Sequence, residues 1–265
     1  MMRKNRLYTS VISLLIVSLM TTACSAKDAE AKTLSSTDTK AATSKAASTE
    51  PTPAEQFALV FEKTEEAVKE AIANNPRNYL EGVNYDAYAK ALGQIEPEAG
   101  KIEVAEFFSY GCGACFGAEA TMHALSKHLG EDVNFVRVPA PFNPYFEHLA
   151  RGYYTAQALG VAEAAHNDLF INIHIERKRL QTVGELAEFY AQYGVSKEDF
   201  IKAFNSFSVN TKMNRARELV GKYQIGSVPN LVVNGKYLST GNKAGSFDAW
   251  TQIIDQLVKQ ERAAL

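Results

Sequence analysis

The sequence predicts an α/β fold in which a helical domain interrupts a small sheet. Three observations carry that prediction. Lys101 to Leu129 reads as strand, break and helix, and Val133 to Val138 returns as a second strand. His148 to Leu219 is helical in character, and strand residues resume only at Leu231. A strand, a crossover helix and a second strand imply a right-handed βαβ unit with parallel strands.

Taken in order, the chain of 265 residues opens with Arg3, Lys4 and Arg6 ahead of an apolar run from Val11 to Met20. That order, with a run short for a membrane span, is that of an export signal over residues 1–23. The segment Thr21-Thr22-Ala23-Cys24 resembles a bacterial lipobox, whose cysteine becomes a lipidated N-terminus; Thr21 stands where that motif usually has Leu. Thr21-x-Ala23 also suits ordinary signal peptidase, and an uncleaved anchor is a third reading. Each takes the folded part out of the cytoplasm, where disulfides persist. After Cys24, residues up to 53 are mostly Ala, Ser, Thr, Lys, Asp, Glu and Pro with almost nothing strongly apolar, so 24–53 reads as a disordered tether. It would let the folded part reach away from the lipid.

Over 54–76, Phe57, Val60, Phe61, Thr64, Val68, Ala71 and Ile72 recur at helical spacing, and Asn74-Asn75-Pro76 stops them. The expectation is an amphipathic helix packed on its own domain rather than on a second copy. Residues 77–141 form the first part of the α/β domain. Ile102, Val104, Phe107 and Phe108 make its strand, and Ser109-Tyr110-Gly111 breaks it. The following helix has Phe116, Ala120 and Ala124, and Met122, Leu125 and Leu129, at helical spacing. Pro139, Pro141 and Pro144 end the second strand. Residues 142–223 are the helical insertion, with helices over 150–159, 161–175, 183–193, 197–204 and 209–223. Tyr153, Tyr154, Phe170, Phe189, Tyr190, Phe200 and Phe204 are its expected core. Residues 224–265 return to the sheet through Leu231, Val232 and Val233. Asn234-Gly235 signals a two-residue hairpin turn, followed by Lys236-Tyr237-Leu238. Ser246 caps a last helix with Phe247, Trp250, Ile253, Ile254 and Leu257 on its apolar face.

Cys112-Gly113-Ala114-Cys115 lies where the first strand hands over to the helix. The first turn of a helix carries unsatisfied N–H groups and a positive dipole end, so a Cys112 thiolate is stabilised there. Cys115, one turn on, faces more protein. Cys112 is therefore the expected attacking thiol and Cys115 the resolving one. Of three cysteines, lipidation would consume Cys24, which leaves one reactive pair and no disulfide framework. A structural disulfide is one alternative and a metal site another. Zinc takes about four ligands, no second pair exists, and His123 and His128 cannot reach back to the first turn of their own helix. The five histidines read as surface or satisfied core positions. With 28 basic and 30 acidic residues, no basic stripe and no Gly-rich phosphate loop, nucleic-acid and nucleotide partners are unsupported.

EFFSYGCGACF, GSVPNLVVNGKY and AFNSFSV together make the chain, from about Tyr79 onward, resemble the thioredoxin-fold superfamily. Within it they resemble the DsbA family of periplasmic thiol-disulfide oxidoreductases. The resemblance implies a thioredoxin fold with an inserted helical domain and no cofactor beyond the Cys112–Cys115 disulfide. It implies a cis Pro229 lying against the cysteine pair, the alternative being an ordinary trans proline before a strand, and a Val228 backbone that pairs with extended substrate chains. It implies that Glu106, six residues before Cys112, lies buried beneath the pair. An isolated buried acid there would have a raised pKa and act as base for Cys115; the alternative is a strand-end carboxylate paired with lysine. The implied partners are extended exported proteins and a quinone-linked membrane protein of the DsbB type. Gly113 and Ala114, which would also face substrate, stand where the family commonly has Pro-His. The side-chain donor that makes the disulfide oxidising is thus missing. The reading is an oxidase of exported proteins, with two rivals: a reductase or isomerase, favoured by dimerisation through the 54–76 helix, and a copper-binding chaperone.

Overall fold

The computed structural model of the chain describes residues 53–74 and 78–265. The expected signal, Cys24, all but the end of the tether, and Asn75-Pro76 lie outside the described residues. Among the described residues the sheet has five strands in the order β1-β5-β4-β2-β3. These are β1 (Asp86–Ala87), β2 (Ile102–Phe108), β3 (Val133–Pro139), β4 (Asn230–Val233) and β5 (Tyr237–Thr240). β2 runs parallel to β3 from Ile102↔Val133 to Phe108↔Pro139 and antiparallel to β4. The helix α2 (Gly113–His128) joins β2 to β3, and a run of helices over residues 144–222 intervenes before β4. This is the expected α/β fold with its helical insertion.

Every residue of β2 is buried, because helices cover both faces of the sheet. Ile102 and Val104 pack with Met122 and Leu125 of α2 and with Trp250 and Ile253 of α9 (Phe247–Arg262), which follows the short helix α8 (Gly241–Ala244). Ala105 and Phe107 belong to the other cluster, with Val232, Tyr223 and the aromatics of the insertion. The alternation is that of any strand. Glu106 has the parity of Val104, so it points under α2.

In the insertion, α4 (Ala162–His174), α5 (Val183–Ala191), α6 (Lys197–Phe204) and α7 (Phe207–Lys222) start and stop within two residues of the expected bounds. Thr182 and Glu185 form a capping box at α5, and Ser196 and Ser206 cap α6 and α7. The seven expected core aromatics are all buried. α3 (Pro144–Ala158) starts six residues earlier than expected. Pro144 does not merely end a strand; Asn143 accepts the Phe146 N–H as N-cap, and proline suits the first helical position.

The hairpin also differs. Asn234 and Gly235 both have positive φ, and the Lys236 N–H donates to Val233 O, as an Asn-Gly turn requires. The ladder nevertheless pairs Val233 with Tyr237, so three residues connect the strands. Lys236 is drawn out of register by its partners: its carbonyl accepts from Tyr88 N, and its Nζ lies 2.6 Å from Glu261.

α1 (Pro53–Ala73) packs within the chain. Val68 and Ile72 are buried, and the Gln252 side chain donates to the Ala71 carbonyl. Val60, expected on the apolar face, is exposed, because the contact stripe runs through Phe57, Phe61, Thr64 and Val68. Phe247 is likewise half exposed, at the first position of α9.

Gly235 has no room for a side chain. A Cβ there would collide with the Gly93 carbonyl, and its φ of +64° disfavours any L-residue. Gly235→Ala is expected to lower unfolding free energy by about 3 kcal/mol. Denaturant unfolding measures this, and an unchanged midpoint would contradict the close approach.

Candidate active site

Cys112 is the N-cap of α2, with extended backbone, and its Sγ accepts the Cys115 N–H at 3.2 Å. It is half-buried, whereas Cys115 is 1 % exposed; both are free thiols. The Cys112 pKa is lowered to about 7, first because the Cys115 thiol donates to its sulfur and then by the Cys115 and Ala114 N–H groups, against a burial that raises it. The Cys115 pKa is driven well above the ordinary thiol value by burial, then by its bond to Cys112. One turn of helix thus separates a sulfur that ionises near neutrality from one that resists ionisation. Lys127 and His128 complement the far end of the same helix.

Gly111 fixes the approach to this turn. A Cβ there would come within 2.8 Å of Phe146 and 2.9 Å of Tyr145, so only glycine lets the loop pack on the start of α3. Across from Cys112, the Val228–Pro229 peptide is cis. The Cys112 thiol donates to the Val228 carbonyl at 3.5 Å. A groove of about 590 Å³ runs from Ala114 and Gly117 past Val228 and Pro229 to Phe247 and Trp250. Gly113 and Ala114 are exposed beside it. The structure therefore brings together Cys112, Cys115, Gly113, Ala114, Val228 and Pro229. Among the described residues, no three His, Cys, Asp or Glu side chains cluster as a metal site.

Glu106 is buried as expected, but it is not isolated, and its partner is no lysine. It sits in register with Arg137 of β3, whose Nε lies 3.3 Å from Glu106 Oε2. The same guanidinium reaches Glu119 of α2 at 3.8 Å and Glu163 of α4 at 2.8 Å. Glu119 also faces His166 Nε2 at 3.2 Å, and His166 Nδ1 lies 2.7 Å from the Tyr110 hydroxyl. Burial raises the Glu106 pKa to about 7, helped by the neighbouring Glu119 and opposed by Arg137. Burial raises Glu119 to about 7 as well, again against Arg137. His166 is depressed to about 3 by burial and then by Arg137, so its ring is neutral. Two carboxyls that titrate near neutrality can hold a proton under Cys115 and give it up. Sequence reasoning missed Glu119, Arg137, His166 and Tyr110 as members of this group. The available signal was charge inside elements whose neighbours are apolar: Glu119 within α2 and Arg137 within β3.

Comparison with known proteins agrees with this geometry. The family model described as DSBA-like thioredoxin domain matches residues 103–249. A thiol:disulfide interchange protein DsbA of Pseudomonas aeruginosa is 38% identical over 187 residues, covering 71% of this chain and 88% of that protein. The protein of the same name from Azotobacter vinelandii is 42% identical over 63% of this chain and 78% of its own length. The crystal structure of oxidoreductase DsbA from Xylella fastidiosa is similar at a TM-score of 0.66 and 35% identity, covering 71% of this chain and 100% of that one.

The two sulfurs are expected to react at very different pH. Alkylation of the reduced protein should label Cys112 with a half-maximal rate near pH 7, while Cys115 stays unlabelled through mildly alkaline pH. Mass mapping of the labelled cysteines decides it, and equal labelling would refute the assignment of unequal thiols.

Proposed function

The chain belongs to the DSBA-like thioredoxin family and is a thiol:disulfide oxidoreductase, and from that premise we propose that it oxidises cysteine pairs in exported proteins. The observation that carries the direction is the thiol asymmetry: a stabilised Cys112 thiolate favours the reduced pair and so makes the disulfide an oxidant. A substrate thiolate attacks Cys112 Sγ of the Cys112–Cys115 disulfide. The S–S bond breaks, Cys115 leaves with the electron pair and takes a proton, and substrate is joined to Cys112. A second substrate thiolate then attacks the substrate sulfur, Cys112 leaves as thiolate, and the substrate departs with its disulfide. Two electrons have passed to the cysteine pair. On re-oxidation Cys112 attacks the disulfide of a redox partner, and Cys115 resolves that mixed disulfide.

In this proposal Glu106, with Glu119 beside it, supplies the proton that Cys115 takes as it leaves and accepts it back on re-oxidation. The Val228 backbone pairs with an extended substrate chain, Pro229 lies against the pair, and Gly113 and Ala114 border the substrate. The redox partner is of the DsbB type, and the compartment is the periplasm. Cys24 is lipidated, which holds the protein at the membrane.

The methyl side chain of Ala114 offers no donor to the thiolate beyond the backbone N–H, which accords with a Cys112 pKa lowered only to about 7. The wild type is expected to oxidise a reduced dithiol peptide stoichiometrically, and Ala114→His to do so with an equilibrium at least several-fold further toward product and a lower Cys112 pKa. A wild type that leaves the peptide reduced would end the oxidase reading. For the anchor, Cys24→Ser should release the protein from the membrane fraction and abolish incorporation of labelled fatty acid; a wild type already free in the soluble fraction would refute lipidation.

A further inference from the structure

The catalytic helix is gripped by an element outside the matched family region, which begins at residue 103. Phe57 of α1 lies against Phe116 at 5.4 Å between ring centroids and 6° between planes. Phe116 also stacks on His174 of α4, at 4.8 Å and 11°. Three near-parallel rings thus run from the N-terminal helix, through the residue after Cys115, into the helical insertion. The chain of contacts does not stop there. His174 Nε2 lies 2.7 Å from the Tyr110 carbonyl, two residues before Cys112; since a carbonyl only accepts, the ring nitrogen donates. The stack therefore ends on the backbone of the loop that presents the reactive sulfur.

The rest of α1 keeps this arrangement in register. Phe61 meets His123 and Glu65 meets Lys127, so residue numbers rise together along α1 and α2. The two helices run parallel, with both N-terminal ends at the catalytic end. Val68 and Ile72 bury the opposite end of α1 in the core.

We propose that Phe57, Phe116 and His174 form a clamp through which α1 positions the Tyr110–Cys112 loop and the first turn of α2. Phe57 and His174 are positioning residues: neither touches a reacting sulfur. The inference rests on the reading of Cys112 as the reactive thiol, because what the clamp sets is the alignment of the Ala114 and Cys115 N–H groups with Cys112 Sγ. Loosening the turn weakens thiolate stabilisation, and the pair becomes a weaker oxidant.

The test uses Phe57→Leu, which keeps apolar cover without the stack, Phe57→Ala, and His174→Gln, which keeps a donor for Tyr110. Val60→Ala, on the exposed side of α1, is the control. Each full-length protein is equilibrated with glutathione buffers, and its Cys112 pKa is read from thiolate absorbance. Thermal unfolding checks that each variant is folded. The expected result is a shift of roughly two- to ten-fold in the equilibrium toward the oxidised pair, with a raised Cys112 pKa, for the stack variants. Val60→Ala should match wild type. Folded stack variants with wild-type equilibrium and pKa would overturn the clamp. If trapping places substrate on Cys115 instead, the assigned nucleophile fails, while a shifted equilibrium would still support the clamp.

Discussion

The structure depends on an inequality of solvation between two sulfurs one helical turn apart. A thiolate is stable where N–H groups and water reach it and unstable where apolar atoms enclose it. Cys112, as N-cap, has the first environment, and Cys115, 1 % exposed, has the second. Much of the surrounding fold maintains that difference. β2 delivers the chain to the turn, Gly111 lets the loop close onto Tyr145 and Phe146, and the Val228 carbonyl limits the open side of Cys112. Covered by α9 and the sheet, α2 cannot rotate Cys115 outward without exposing Met122 and Leu125.

Beneath the pair the fold accepts a cost. Two acids and an arginine are taken out of water, which is tolerable only because each meets an opposite charge. Burial pushes both Glu106 and Glu119 up to about 7, and Arg137, shared between them, only partly opposes it. Stability follows with a definite sign. A carboxyl whose pKa is raised on folding binds more protons folded than unfolded, so its contribution falls as pH rises from about 4.5 through about 7. His166, depressed on folding, works the other way between about 3 and 6.5. Glu103, the other buried acid of β2, has a different role: it accepts the Ile95 and Glu96 N–H groups and fastens the preceding loop to the sheet.

What the sequence made legible was local. The strand, the glycine break and the cysteine at the helix start are written within thirty residues. The helices of the insertion follow from helical periodicity, although their caps at Thr182, Ser196 and Ser206 emerged only in the structure. What it hid depended on distant partners. β1 has two residues, and its pairing to β5 leaves no period to read. Lys236 leaves the ladder because Tyr88 and Glu261 hold it. The family resemblance placed Glu106 beneath the cysteine pair, but nothing local announced that Arg137, thirty-one positions on, would share its register.

The central claim is that this asymmetry makes the Cys112–Cys115 pair an oxidant even without a side-chain donor at position 114. The reduction potential of the pair, measured by equilibration with glutathione at pH 7, tests it most directly. The account predicts a value clearly less negative than the roughly −270 mV of thioredoxin. A value at or below that figure would contradict it and make the protein a reductant.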